Sequence, residues 1–409
     1  MSYFTDFVRG FLDLGATVIL PVVIFLLGLF FRQKIGAAFR SGLTIGVAFV
    51  GIFLVIDLLV KNLGPAAQAI DDVGWPATSS IAWASSVAAF IIPLGIIVNV
   101  VLLVTKVTKT MNVDIWNFWH YTFTAAMVYA VSGSIWQALL AAVIFQIICL
   151  KVADWTAPMM SEFFDLPGVS IATGSTISYA PGIYLVKLLQ RVPGLNKLDA
   201  DPETIQKRFG AFGESIFVGL ILGLGIGVLA GYKPGDIINL GMSMAAVMVL
   251  MPRMVKILME GLMPVSESAR TWLNKRFGER EIYIGLDAAV ALGHPAVIST
   301  ALILVPITVL LAVILPGNQV LPFGDLATIP FVVAFIVGAA RGNIIHSVIV
   351  GTIMIAISLY IATDVAPIFT DMAKGTNVQM PKGSSEISSI DQGGNIVNYL
   401  IFKLFSLFN

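Results

Sequence analysis

The chain is a succession of long apolar stretches separated by short polar ones. Runs at 14–31, 41–60, 81–105, 115–131, 135–153, 214–231, 236–258, 291–315, 326–340 and 344–363 each approach the ~20 apolar residues that cross about 30 Å of hydrocarbon. An eleventh begins near Ile396 and stops at Asn409, so the last span is expected to be truncated. Backbone in lipid must satisfy its own hydrogen bonds, and runs of this length do so as helices. The pattern predicts an all-α polytopic membrane protein of about eleven transmembrane helices.

The punctuation between the runs recurs. Gly74 and Pro93 return as Gly285 and Pro306 at offsets of 211 and 213. Asp114 returns as Asp325 at 211, Asp154 as Asp364 at 210, and Pro65 as Pro264 at 199. Weak internal symmetry in a membrane protein is the usual trace of a transporter built from two repeats. Each half carries five spans, and tandem copies of an odd unit must lie in opposite orientations. With the amino terminus outside, 18 lysines and arginines fall on the cytoplasmic side, among them Lys109, Lys151, Lys187 and Arg341. Only 5 fall outside (Arg9, Lys61, Lys233, Lys374 and Lys382), with Lys403 in the last span uncounted. The positive-inside rule therefore selects an external amino terminus and a cytoplasmic carboxyl terminus in a multi-pass protein. Tyr3, Phe4, Phe7 and Phe11 suggest a short interfacial helix ahead of the first span.

Composition agrees with a membrane location: 57% of residues are apolar and 12% charged, against roughly 25% charged in a soluble domain. Net charge is zero and no basic run suggests nucleic acid. The single cysteine, Cys149, lies within a span, so no disulfide forms within the chain. There is no metal-spaced histidine or cysteine cluster, no phosphate-cradling loop and no hydrolase elbow, and no cofactor is expected. Gly225, Gly227 and Ala230 loosely fit a dinucleotide pattern, but inside a span with no strand before it. Gly219, Gly223, Gly225, Gly227 and Gly231 are read instead as small residues permitting close helix contact.

Two kinds of segment are too polar or too broken for plain lipid-facing helix. The first precedes the third and eighth spans: Asp71 to Ser80, and Ile284 through Asp287 to Pro295. The second follows the fifth and tenth spans: Pro167 through Thr173, Gly174 and Ser175 to Thr176, and Asp391 through Gln392 to Asn395. Irregular backbone at membrane depth survives where it lines a cavity or is buried in protein, so equivalent breaks point to a binding site between the repeats. Ordinary extramembrane loops are the competing reading.

Asn117, His120 and Thr124 share one helix face at the mouth of the fourth span. A polar stripe with a histidine and nearby indoles suits a polyhydroxylated ligand; an interfacial tryptophan belt with a solvated histidine competes with it. His294 precedes Pro295, which disfavours helical geometry, and marks either a helix break at a cavity or simple helix-start punctuation. Asp325 opens the ninth span as a ligand group or a cap. His346 is expected at the interface beside Arg341, Asp57 is expected to snorkel, and Glu214 reads as a helix-start acid. Glu267 to Glu281 reads as a solvated cytoplasmic loop or a docking face.

These segments, in this order, resemble the galactitol-type sugar-specific IIC membrane components of the bacterial phosphoenolpyruvate-dependent phosphotransferase system, within the ascorbate–galactitol superfamily. The residues that carry the resemblance are Asp72 to Pro76, Asn112 to Asn117 with His120, Arg208-Phe-Gly, Gly285 to Asp287, Leu292-Gly-His294, the fourteen-residue run Pro316 to Ile329, Arg341 to Asn343, and Asp391 to Gly394. The resemblance implies a homodimer with a scaffold (V-motif) and a core transport domain that moves like an elevator. It places scaffold at 1–62 and 213–262 and core at 63–212 and 263–409. A cytoplasmic IIB partner, charged upstream by IIA, would phosphorylate the substrate, adding about two negative charges that oppose its return. No phosphoryl-carrying residue is expected in this chain.

Carried over by resemblance, the ligand contacts are His120, Thr124, Thr173, Gly174, Ser175, Asp287, His294 and Asp325. One departure is Thr173, where the resemblance places a histidine; threonine bonds hydroxyls but takes no proton at neutral pH. If the acceptor hydroxyl needs a base, Asp287 and His120 are the candidates. The competing function is an ion-coupled secondary sugar carrier on the same architecture. A membrane sensor that binds sugar without moving it is a third.

Overall fold

The computed structural model describes residues 16–63, 74–114, 117–195, 198, 200, 202, 215–229, 231–277, 281–375 and 386–408. The proposed interfacial segment, Asp71, Asp72, Trp116, Glu214 and the Arg208-Phe-Gly motif lie outside these, as does the side chain of Asp57. Helices dominate in the order α1 (Ala16–Phe30), α2 (Ile35–Leu63), α3 (Gly74–Ala84), α4 (Ala88–Val104), α5 (Phe118–Ser132), α6 (Ile135–Phe163), α7 (Gly174–Ser178) and α8 (Pro181–Leu189). Then come α9 (Ser215–Leu229), α10 (Pro234–Phe277), α11 (Pro295–Ile314), α12 (Ile329–Ala339), α13 (Ile344–Lys374) and α14 (Ile396–Ser406). Among the described residues five helices are long and apolar enough to cross a membrane, or six if one bent pair counts as a span.

Three sequence expectations change. The apolar run 81–105 is not one straight span: α3 and α4 meet at a bend of 91°. Ser85 and Ser86 stand at the break, and serine pairs favour such kinks because their hydroxyls compete for helix carbonyls. The run 236–258 continues as helix to Phe277, so most of the expected polar loop is the last turns of α10. The chain is also not purely helical. Three short strands, β1 (Thr110–Asn112), β2 (Val169–Ile171) and β3 (Tyr283–Leu286), form a parallel sheet in the order β1-β3-β2. Their sequences are too short for periodicity to reveal.

Helices α1, α2, α9 and α10 pack against one another. Gly219, Gly223 and Gly227 line the α9–α10 contact: a Cβ on Gly223 would lie 2.8 Å from the Cα of Gly241. This is the close approach expected of small residues. Gly225 and Gly231 face nothing within 4 Å and take no part in it. The remaining helices surround the sheet and the broken segments. Asp154 on α6 buttresses β1, accepting from the Lys109 amide (3.0 Å) and from the hydroxyls of Thr108 (3.0 Å) and Thr110 (2.8 Å).

Candidate functional site

All three strands run the same way, so their carboxyl ends arrive at one edge. In register, Asn112 faces Gly285 across β1–β3, and Ile171 faces Leu286 across β2–β3. Gly285 is required there, because a Cβ would stand 3.0 Å from the Cα of Asn112. One or two residues beyond the strand ends stand Asp114, Thr173 and Asp287. All three are buried. Thr173 Oγ1 donates to Asp287 Oδ2 (3.1 Å) and accepts from the Ala288 amide (2.8 Å). Asp287 Oδ1 accepts from the Ala289 amide (2.8 Å), capping the short 3-10 turn Ala288–Gly293.

The second broken segment, 386–395, closes over this edge and brings α14 against α5. Gln392 is its hub. Its Nε2 donates to Asp391 Oδ1 (3.1 Å) and to Ser175 Oγ (3.3 Å), and its Oε1 accepts from Asn398 Nδ2 (3.0 Å). Asn398 Oδ1 accepts from Thr124 Oγ1 (2.5 Å). The His120 ring lies near the Gln392 side chain. Its Nδ1 is buried without a hydrogen-bond partner among the described residues. Asn395 Nδ2 donates to the Gly174 carbonyl (3.1 Å). Gly174 has room only for hydrogen, since a Cβ would meet His120 at 2.7 Å.

The structure thus joins His120, Thr124, Thr173, Gly174, Ser175 and Asp287 into one buried network. The solvated-histidine reading fails: His120 is 2% exposed and Trp119 3%. Asp325 is buried at the network's margin, where Oδ2 accepts from Ser389 Oγ (2.6 Å) and the Asp391 amide (3.3 Å). It anchors the 386–395 segment rather than capping α12. His294 does not join. It starts α11, its Nδ1 accepts from the Ala296 amide (3.2 Å), and its ring lies 4.3 Å from that of Phe163. His346, expected at the interface, is buried with Nε2 2.8 Å from the Leu195 carbonyl.

Sequence reasoning marked 391–395 as a break but singled out none of Asp391, Gln392, Asn395 and Asn398. The available signal was the i, i+3 spacing of Asn395 and Asn398, which continues a polar stripe into an apolar helix. Intramembrane polar groups of this density face protein or a cavity, because exposure to lipid is too costly. Among the described residues neither Asp287 nor Asp391 has a cationic partner; both are satisfied by hydroxyl, amide and backbone donors. Such a set suits a neutral ligand carrying many hydroxyls, each of which both donates and accepts.

The family model described as the PTS system sugar-specific permease component, EIIC-GAT, matches residues 10–383. The chain belongs to this family. It is therefore a membrane permease component of a sugar phosphotransferase system, and its apolar helices agree with a multi-pass location. It is 43% identical over 414 residues to the galactitol-specific EIIC component of Escherichia coli (strain K12), covering 98% of this chain and 91% of that protein. A putative permease IIC component of the same organism is 39% identical over 407 residues, covering 97% of this chain and 93% of the relative. The motif Pro316 to Ile329 has a structural reason in this permease component. Asn318 Nδ2 donates to the Ala312 and Val320 carbonyls (both 2.8 Å), and the run then turns through the 3-10 segment Phe323–Thr328 that presents Asp325.

Proposed function

We propose that this permease component carries galactitol or a closely related polyol, which a separate cytoplasmic IIB protein phosphorylates. The observation that carries the reading is the network around Gln392, in which both broken segments meet a helix stripe and the carboxylates are held by neutral donors, with no cationic partner among the described residues. Galactitol-specific relatives at 43% identity support the substrate class. An acyclic polyol would exchange its hydroxyls for these internal bonds, with His120 Nδ1 as a waiting acceptor. Asp287 and His120 are the proposed bases for the acceptor hydroxyl.

An elevator movement on an inverted repeat accompanies this reading. Supporting it, Gly74 and Gly285 occupy equivalent close approaches: a Cβ on Gly74 would meet the Gly324 carbonyl oxygen at 2.7 Å, as one on Gly285 would meet Asn112. Pro158 in α6 and Pro367 in α13 also fall at corresponding places in the two longest apolar helices of the halves' second parts. The packed group α1, α2, α9 and α10 is the proposed scaffold, and the rest the moving core. A homodimer through the scaffold, an external amino terminus and a cytoplasmic carboxyl terminus complete the proposal.

The test is uptake of labelled galactitol into vesicles with and without phosphorylated IIB. Galactitol phosphate should appear inside only when the phosphorylated partner is supplied. Accumulation of unmodified polyol on a proton or sodium gradient, with no IIB, would instead establish the ion-coupled carrier.

A further inference from the structure

Away from the polyol network, α6, α8, the end of α12 and the turn before α13 enclose a cleft of about 470 Å³. One wall is apolar, formed by Met159, Phe163 and Ile183. The other end carries Lys187 and Arg341, with Glu162 as the one acid. Trp155 lies at the cleft and stacks on Tyr184 at 5.3 Å and 19° between planes, with Lys187 Nζ 5.8 Å from the tyrosine ring. Trp155 is 41% exposed and Tyr184 62%. Arg341 adopts a left-handed backbone (φ 50°) in the turn Arg341-Gly342-Asn343. That turn is fixed by Asn343, which receives the His346 amide (3.1 Å) and donates to the Leu198 carbonyl (2.6 Å). Neither Lys187 nor Arg341 is ion-paired with a carboxylate among the described residues.

We propose that this cleft binds an anionic phospholipid, with its phosphate between Lys187 and Arg341 and an acyl chain along the apolar wall. Exposed tryptophan and tyrosine mark the headgroup level of a bilayer, and basic pockets between membrane helices at that level hold anionic headgroups. Three features separate a lipid from a water-soluble phosphate ester. The wall beyond the cations is apolar. The Thr156 hydroxyl is spent on its own helix, donating to the Val152 carbonyl (2.9 Å). Glu162 would repel a second anionic group. The cleft offers a headgroup two charges and a chain a greasy surface, but little to a sugar.

The test uses the full chain in detergent, titrated with dioleoylphosphatidylglycerol and followed by native mass spectrometry and thermal shift. Each cation removed should lower affinity about fivefold. The variants are Lys187→Gln and Arg341→Asn, asparagine tolerating the left-handed backbone, with Lys34→Gln as an unaffected control. Brominated phosphatidylglycerol should quench the wild-type fluorescence by a fraction that Trp155→Phe removes, which needs neither charge variant to fold. Equal affinity in the charge variants and wild type overturns the site, as does equal quenching with and without Trp155. Stabilisation by inorganic phosphate as strong as by the lipid, or equal response to phosphatidylcholine, overturns the lipid assignment.

Discussion

The two broken tips that meet at the site, 169–178 and 386–398, occupy corresponding places in the chain yet bring different chemistry. The first is held by strand pairing on β3 and presents hydroxyls and main chain: Thr173, the Gly174 carbonyl and Ser175. The second has no strand of comparable length among the described residues and is held by side chains, through Ser389 and the Asp391 amide on Asp325. It presents amides and a carboxylate from Asp391, Gln392, Asn395 and Asn398. A shared frame leaves recognition free to diverge: a tip fixed by main-chain bonds tolerates small side chains, whereas a tip fixed by its own side chains couples holding itself to holding the ligand.

Substitutions in the second tip should therefore cost most. Gln392→Leu leaves Asn398, Ser175 and Asp391 short of a partner. At about 1–3 kcal/mol for each buried group left unsatisfied, polyol binding should fall at least ~100-fold and thermal stability should drop with it. Retained affinity by calorimetry would break the comparison. His120→Ala and Asp287→Asn come next, each expected to reduce affinity on the order of 10–100-fold by removing acceptors proposed for the ligand while the strand-held backbone remains. If radiolabel binding is unchanged in both, the pocket lies elsewhere. Thr173→Val loses the bonds to Asp287 and the Ala288 amide, at about 1–3 kcal/mol in chemical denaturation or thermal shift. Thr173→Ser should restore nearly all of it, because the hydroxyl and not the methyl does the bonding. Ser175→Ala is the smallest change. Its contact to Gln392 is long at 3.3 Å, and about 1 kcal/mol, a few-fold in affinity, is expected; a loss as large as that of Gln392→Leu would reverse the ranking of the tips.

The long helices were legible because burial in lipid writes itself as continuous apolar sequence, and the breaks because glycine, proline and polar residues interrupt it. The stripe of His120 and Thr124 was legible for the same reason: helical spacing converts directly into a shared face. The sheet was not. Strands of three or four residues whose partners lie 173 and 115 positions away, as Tyr283 does from Thr110 and Ile284 from Val169, leave no local signature. Gln392 was hidden similarly, because a hub is defined by what surrounds it in space. His294 has a physical reason of its own to stand apart from the network. A histidine before a proline marks a helix start whether it faces a ligand or, as here, two phenylalanine rings.

The order β1-β3-β2 has a consequence for the protein's biogenesis. The central strand is the last made: residues 110–112 and 169–171 are synthesised long before 283–286 arrives to separate them. Until the ribosome passes Leu286, two strand edges within a hydrophobic environment have no partner, and unpaired backbone there is costly. The sheet of the first half is therefore completed only by the second half. A nascent protein stalled between the halves would present an unfinished sheet to the quality-control proteases, and Tyr283 to Leu286 supplies its missing central strand.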